Sequence, residues 1–546
     1  MFKPLHLVCL PALLLCLFAS NATAQSFRVQ CPKSTTLHPS EPNNPNLNPV
    51  GGRIKCQQIS GGDGFATMGD GVQTYLFGFG PLSGLAAIVN GLPGTQPPSV
   101  FNVSNLDAAV IGDIAIGAPI PNSTTFNGAV GLVPDPESVP ANSLTGHVDP
   151  RLIMDVGVMN ASQPAPLMAI DEDDEFFLTL TNVGQIMRPD LFEQHTVHFH
   201  GYPNASAFYD GVPDASIAIN IGGSFTYYYL APDAGTYFWH CHISPPEHLQ
   251  MGMVGQIYVR PRQNRVPTNA SLKDALVAAN LKAANNPLAT GPHLPSTYDA
   301  TTCSDILCTG QTPAPAVGGA RAPNVRYAYN DGDGSTAYDV EYPIQMMGFD
   351  SNFHFVGMTF NPESFTDMKD KYFMLNGRSY PDTVGGYVCA PADPYPGCAG
   401  MASGTVVPGP MQTQSTDGTM HSSQPLPTVI NIPAGGRALL RISDLNVTEF
   451  HTLASLGIPM KVVGVNARLL RDLAGNDMSY TTNSITLGGG ESLDVILDAA
   501  GYTAGQKFYL YTPNLDHLSN GAENFGGMMT EVNICTSVNP TSKQCS

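Results

Sequence analysis

Charge is scarce in this chain of 546 residues, with Lys, Arg, Asp and Glu together only 12% of it. That excludes an architecture of long solvent-facing helices, whose outer faces need charged residues. A basic surface is lacking too: 24 Lys and Arg face 44 Asp and Glu, a formal net charge of -20. Nucleic acid and anionic membrane are thereby argued against as partners. An acidic surface suits the solubility of an exported protein or, failing that, cationic and metal-ion partners. Beyond the first residues no apolar run approaches the ~18 residues of a spanning helix, so no membrane span is expected. No short-period repeat is visible. What abounds is Gly (55) and Pro (47), the composition of many short strands joined by turns. The length asks for two domains rather than one core.

Residues 1–24 read as a signal peptide. Lys3 supplies the positive start, Leu7 to Phe18 the short apolar run, and Ala22-Thr23-Ala24 the small-residue cleavage pattern before Gln25. Export, to the outside or to a periplasm, is therefore expected. The cysteines agree. Of eleven, Cys9 and Cys16 leave with the signal, and eight fall in close pairs: Cys31 with Cys56, Cys303 with Cys308, Cys389 with Cys398, Cys535 with Cys545. An oxidising compartment would make these local disulfides, although spacing alone leaves the connectivity open. Cys241 is left over.

The pattern along the chain predicts an all-β protein of two Greek-key β-sandwich domains with long loops. Residues 25–60 read as an arm, 61–260 as the first domain, 261–325 as a linker and 326–546 as the second domain. Strands are expected over Phe176–Leu180, Ser224–Leu230, Thr236–Trp239 and Val254–Val259 in the first. In the second they are expected over Thr428–Ile432, Arg437–Ile442, Lys461–Val465, Ser492–Leu497 and Lys507–Tyr511. One short helix is expected in the linker, Ala270–Ala283, and Val384–Gln424 reads as a long loop.

The chemistry gathers in two stretches, His195-Thr-Val-His198-Phe-His200-Gly201 and Trp239-His240-Cys241-His242 running on to His248 and Met253. Two imidazoles, one thiolate and a long axial thioether suit copper in electron transfer; His195, Cys241, His248 and Met253 are the candidates. Residues two apart on a strand share a face. His240 and His242 therefore point together, away from Cys241, and join His198 and His200 as candidates for a second metal. A closed zinc site fits this donor set poorly. His6, His38, His147, His293, His354 and His421 read as packed or surface residues. Methionines between Met401 and Met420 read as loop filler.

These motifs, HxxHxHG and HCHxxPPEHxxxGM, resemble those of the multicopper oxidases, laccases in particular. The resemblance covers residues 160–260 and 325–535, including Tyr372–Thr383 and Thr486–Leu497, and implies cupredoxin-like domains. It assigns type 1 copper to His195, Cys241, His248 and Met253. It assigns half of a type 2/type 3 copper cluster to His198, His200, His240 and His242. The longer Pro245-Pro246 loop is similar to that of copper nitrite reductases, but those carry aspartate where this chain has His198 and lack a histidine at His242. The implied activity is oxidation of a small-molecule or metal-ion donor (a phenol, Cu(I), Fe(II) or Mn(II)), with oxygen as acceptor through His240, Cys241 and His242. Two-domain relatives imply a homotrimer.

The second half departs from the pattern. His451 aligns with the first motif, yet Ala454 and Leu456 stand where cluster histidines belong. Around His517 and Met528 the second motif persists without cysteine or paired histidines. His451 and His517 read as packed relics, or else as contributors to a copper site, across a subunit interface in one variant. An electron-transfer or copper-binding protein with a decayed cluster is the rival reading, and nitrite reduction the third.

Overall fold

The computed structural model describes residues 28–36, 38, 53–103, 126–132, 146–202, 206–231, 233–266, 325–358, 364–393, 395–414, 420–520 and 523–546. The expected signal peptide, the Ala270–Ala283 helix and the Cys303–Cys308 pair lie outside the described residues. The fold is all-β and cupredoxin-like, two sandwiches built on one plan.

In the first, β1 (Ile54–Thr67), β2 (Gln73–Pro81), β4 (Glu175–Gly184) and β6 (Ser224–Leu230) form one sheet in the order β2-β1-β4-β6. The other sheet runs β3-β8-β7-β5, from Met168–Asp171 (β3), Val254–Arg260 (β8), Gly235–His240 (β7) and His198–His200 (β5). Each sheet has one parallel pair, the central β1 with β4 in the first and the edge strand β3 with β8 in the second. The core between them takes Ile59, Phe77, Phe79, Phe176, Leu178, Leu180, Phe199, Trp239 and Ile257. Along β4, Phe176, Leu178 and Leu180 recur every second residue, the period that puts them on one face.

The second sandwich repeats this order. Tyr372–Leu375, Val340–Phe349, Arg437–Asp444 and Ser492–Asp498 follow one another across its larger sheet, and Ile430–Pro433, Met529–Cys535, Lys507–Tyr511 and His451–Leu456 across the other. The parallel pairs recur as well, Val340–Phe349 with Arg437–Asp444 and Ile430–Pro433 with Met529–Cys535. It has its own core, including Ile344, Leu440, Ile442, Leu453, Val495, Leu510 and Val532.

Expected strands are present at Ser224–Leu230 and Lys507–Tyr511 to the residue, and the others within a few positions. The long β1 was not foreseen and runs through position 60, where the arm was expected to give way to the first domain. Its Gly-rich sequence, IKCQQISGGDGFAT, lacks the β-branched density of a strand. Gln58 is held from outside the strand, donating its backbone N–H to Ser83 Oγ at 2.8 Å and its side-chain amide to Thr181 Oγ1 at 3.3 Å. Within Val384–Gln424 the structure shows four short strands rather than a bare loop. Disulfides join Cys31–Cys56, Cys389–Cys398 and Cys535–Cys545.

Polar contacts bind the sandwiches face to face. Gln256 on β8 donates to Arg441 O (2.9 Å) and Ser443 Oγ (2.8 Å), and Thr236 on β7 donates to Asp494 Oδ1 (2.7 Å). From the helix Ser351–Met358, His354 inserts between Tyr75 O (2.5 Å) and Gln250 O (2.9 Å). No helix among the described residues is long and apolar enough to cross a membrane.

Candidate metal centre

Strand pairing sets the site. Antiparallel β5 and β7 place His198 opposite His240 and Phe199 opposite Trp239. Cys241 follows β7 directly and donates its backbone N–H to Met253 O at 3.1 Å, while Met253 N–H reaches His248 O at 2.8 Å. His195 is fixed by a two-bond bridge with Ile219. The stretch between Cys241 and Met253, expected to be a loop, contains the helix Pro245–Met251. Its opening prolines cost nothing where a first turn has no bond to make.

Four residues from three segments thus meet in the apolar core. His195, Cys241, His248 and Met253 are all essentially solvent-free. Among the described residues, His195, Cys241 and His248 are the set whose ligating atoms all lie within 4.8 Å of one another. Cys241 is the only free cysteine among them. His248 Nδ1 lies 3.3 Å from Cys241 Sγ, and the His195 and His248 rings are 5.5 Å apart. Both ring nitrogens of His195 and Nε2 of His248 make no hydrogen bond. Buried polar groups without partners are rare in folded proteins, and here they surround a thiol. Burial alone would raise that thiol, but His248 and His195 hold it well below the usual thiol range, so the sulfur is a thiolate ready to bind a metal. His248 is disfavoured as a cation by burial, yet the thiolate and Glu193 lift it to about 9. A soft thiolate, two imidazoles and a thioether fit copper.

On the other side of Cys241 lies the histidine cluster. The His198 ring is 5.1 Å from those of His240 and His242 and 5.9 Å from that of His200. A carbonyl only accepts, so each carbonyl contact fixes a tautomer. His240 Nδ1 donates to Cys241 O at 2.7 Å, His198 Nδ1 to Asp210 O at 2.6 Å, and His200 Nδ1 to Gly490 O at 3.4 Å. In all three the Nε2 lone pair is left for a metal, the usual outer-sphere arrangement of metal-binding histidines. Burial drives His240 down to about 3 and lowers His198, so both are neutral donors.

Every residue expected at the two centres is therefore brought to one of them, and residues sequence reasoning missed surround them. Thr196 gives its backbone N–H to Cys241 Sγ (3.4 Å), and its hydroxyl accepts from His242 N–H (2.9 Å), tying the two sites together. Glu193 Oε2 stands 3.7 Å from His248 Nε2, and Phe77 packs edge-on against that ring at 5.2 Å. Gly61 makes room: a Cβ there would fall 2.7 Å from His195 Cδ2 and 3.5 Å from Met253 Cε. A glycine pair inside a buried strand was the one available sign of such a close approach.

In the second sandwich the expected gaps are real. Ala454 and Leu456 occupy the strand His451–Leu456, and Leu456 is exposed. His451 and His517 are buried with rings 5.4 Å apart. His38 contacts Glu175, and His354 lies between its two carbonyls, as packed residues.

Residues 145–264 match the family model described as multicopper oxidase. The laccase abr2 of Aspergillus fumigatus is 33% identical over 109 residues, which cover 20% of this chain and 17% of the laccase. A copper-containing nitrite reductase of Rhizobium meliloti is 35% identical over 109 residues, 19% of this chain and 26% of the reductase. The matched stretch thus spans about a sixth to a quarter of the length of these curated relatives. The solved multicopper oxidase mgLAC superposes with a TM-score of 0.46 at 15% identity, over 90% of this chain and 93% of that one. That likeness is too slight to bear on the chemistry.

Proposed function

We propose that this chain is an exported copper oxidoreductase of two domains, divided as its two sandwiches suggest. In it, type 1 copper at His195, Cys241, His248 and Met253 serves a second centre at His198, His200, His240 and His242. Copper held by these residues would supply one-electron redox chemistry, with a phenol or a low-valent metal ion as donor and oxygen as acceptor. The chain's own residues do the rest. Cys241 is bonded directly to His240 and His242, so the two centres are joined by a few covalent bonds and by Thr196. The apolar core excludes water from the thiolate, and Thr196 N–H holds its sulfur in place. Burial keeps His198 and His240 neutral, and carbonyl contacts at Nδ1 orient them. The observation that carries this reading is the buried Cys241 sulfur beside His195 and His248, three of whose four ring nitrogens have no hydrogen-bond partner.

Three disulfides support export to an oxidising compartment. A second reading, a blue-copper electron-transfer or copper-binding protein whose cluster has decayed, is favoured by Ala454 and Leu456 and by the lack of paired histidines around His517, which together remove half of the expected ligands. The nitrite reductase reading is weaker because His198 occupies the place of an aspartate. The deciding experiment measures copper per chain and the visible spectrum of the wild type and Cys241→Ser, together with oxygen uptake on phenols and Fe(II). An intense blue band abolished by Cys241→Ser, two or more coppers and oxygen uptake support the oxidase. One copper and no uptake support electron transfer, and no blue band refutes both.

A further inference from the structure

The second sandwich keeps the frame of the blue centre atom for atom. Thr512 follows the strand Lys507–Tyr511 as Cys241 follows β7, and Thr512 N–H donates to Met528 O at 3.0 Å, as Cys241 N–H does to Met253 O at 3.1 Å. Met528 N–H reaches His517 O at 3.0 Å, as Met253 N–H reaches His248 O at 2.8 Å. His451 is bridged to Leu487 as His195 is to Ile219. Glu449 stands two residues before His451 with Oε2 3.0 Å from His517 Nε2, as Glu193 stands two before His195 and faces His248 Nε2 at 3.7 Å. Even the ring separations agree, 5.4 Å for His451–His517 and 5.5 Å for His195–His248.

Two positions differ in kind. Thr512 replaces the thiolate, and Asp444 replaces Asn182. The latter two are equivalent, since each accepts the backbone N–H two residues on through its own Oδ1 at 3.0 Å (Gly184 for Asn182, Asn446 for Asp444). The Asp444 carboxylate reaches His451 Nδ1 at 3.3 Å. The second sandwich thus lacks the thiolate but carries a buried carboxyl group beside His451, the counterpart of His195.

A relic without function would be expected to close over its polar atoms. This one has not. Asp444 and His451 are fully buried and His517 is 3% exposed. Yet Asp444 Oδ2, both ring nitrogens of His451 and His517 Nδ1 have no hydrogen bond. Phe373 stacks on His517 at 4.0 Å and Met528 lies in the same core, so water is kept from the group. The ligating atoms of these three side chains do not all lie within the 4.8 Å of the His195, Cys241 and His248 set, so an ion here would draw the Asp444 and His517 side chains inward.

We propose that Asp444, His451 and His517, with Met528 beside them, form a mononuclear, non-blue site for a divalent first-row transition ion, cupric ion above all. Two imidazoles and a carboxylate accept such ions generally, and copper heads the affinity order. The site goes beyond the oxidase reading and does not depend on it.

Full-length protein is loaded with Cu(II), and copper per chain, the blue band and the electron paramagnetic resonance spectrum are read together. The wild type is expected to show, beside the blue centre, a non-blue signal with nitrogen hyperfine structure. Asp444→Asn installs the residue the first sandwich carries at the equivalent place, so the fold tolerates it. It should lower Cu(II) affinity at this site at least tenfold while the blue band stays. His517→Ala should remove one copper per chain. Thr512→Cys in a Cys241→Ser background should create a blue band where none remained. Unchanged copper content and spectrum in folded Asp444→Asn overturn the proposal, as does a folded Thr512→Cys/Cys241→Ser protein that stays colourless. The wild-type blue band, read in the same samples, reports separately on His195, Cys241 and His248.

Discussion

His354 joins the second sandwich to the helix that carries His248, and its removal should be felt as stability and as colour. The ring is fully buried, stacked on Phe349 at a 3.6 Å centroid distance, with Nδ1 2.5 Å from Tyr75 O and Nε2 2.9 Å from Gln250 O. Burial pushes its pKa down to about 4 against the pull of the two carbonyls, so it is neutral at pH 7. His354→Ala loses a packed ring, which for aromatic side chains costs about 3–5 kcal/mol and for this smaller ring about 2–4. One hydrogen bond adds about 1 kcal/mol, for a total of about 3–5 kcal/mol at pH 7. The pH dependence follows from the direction of the shift. A histidine whose folded pKa lies below its ordinary 6.5 contributes stability that is complete above pH 6.5 and is lost as pH falls toward 4. Lowering the pKa from 6.5 to about 4 corresponds to about 3 kcal/mol. The gap between wild type and His354→Ala should therefore narrow by about that amount from pH 7 to pH 4. Urea unfolding at the two pH values measures it, and the visible spectrum reports whether the Gln250 helix has moved His248. A cost below about 1 kcal/mol at pH 7, or a gap unchanged at pH 4, would refute the reasoning.

Three further outcomes follow from single contacts. Gly61→Ala places a methyl 2.7 Å from His195 Cδ2 and should weaken or abolish the blue band, seen in the absorption spectrum of copper-loaded protein. Gly490→Ala forces a side chain onto a backbone at φ +87° and within 2.8 Å of His200 Cε1. It should lower the copper held by the histidine cluster while sparing the blue band, read as copper per chain. Met253→Leu removes the thioether donor but keeps an apolar filler, so the band should persist and the reduction potential rise, as cyclic voltammetry would show.

The chemistry was legible because its donors are consecutive in sequence or set by strand alternation. His198 and His200, and His240 and His242, announce their shared faces by spacing alone. Strands rich in aromatic and aliphatic residues were legible for the same local reason, Ser224–Leu230 and Lys507–Tyr511 above all. What stayed hidden is brought in by register between distant segments. Gly61 reaches His195 only through the pairing of β1 with β4, and Gly490 reaches His200 from the other sandwich. Asp444 shows no donor character until its strand is laid over the one that ends with Asn182 and Gly184. The helix Pro245–Met251 was hidden by its brevity and its opening prolines.

The duplicated plan also constrains what assembly could add. The resemblance implies a trimer, in which a neighbour would complete the histidine cluster with donors from its second domain. This chain has no second pair to lend: outside residues 195–248 its fourteen histidines include no HxH pair. In the second sandwich His354, His451 and His517 are buried, with His354 held by carbonyls, and His421 is a single half-buried histidine on the strand Met420–Gln424. Copies of this chain alone can therefore meet at the exposed His200 without supplying the missing four imidazoles. Copper per chain should then be the same in monomer and oligomer fractions separated by size and analysed for metal. A higher copper content in the oligomer would show that a neighbour contributes ligands after all, and that the cluster is built by association rather than by one sandwich.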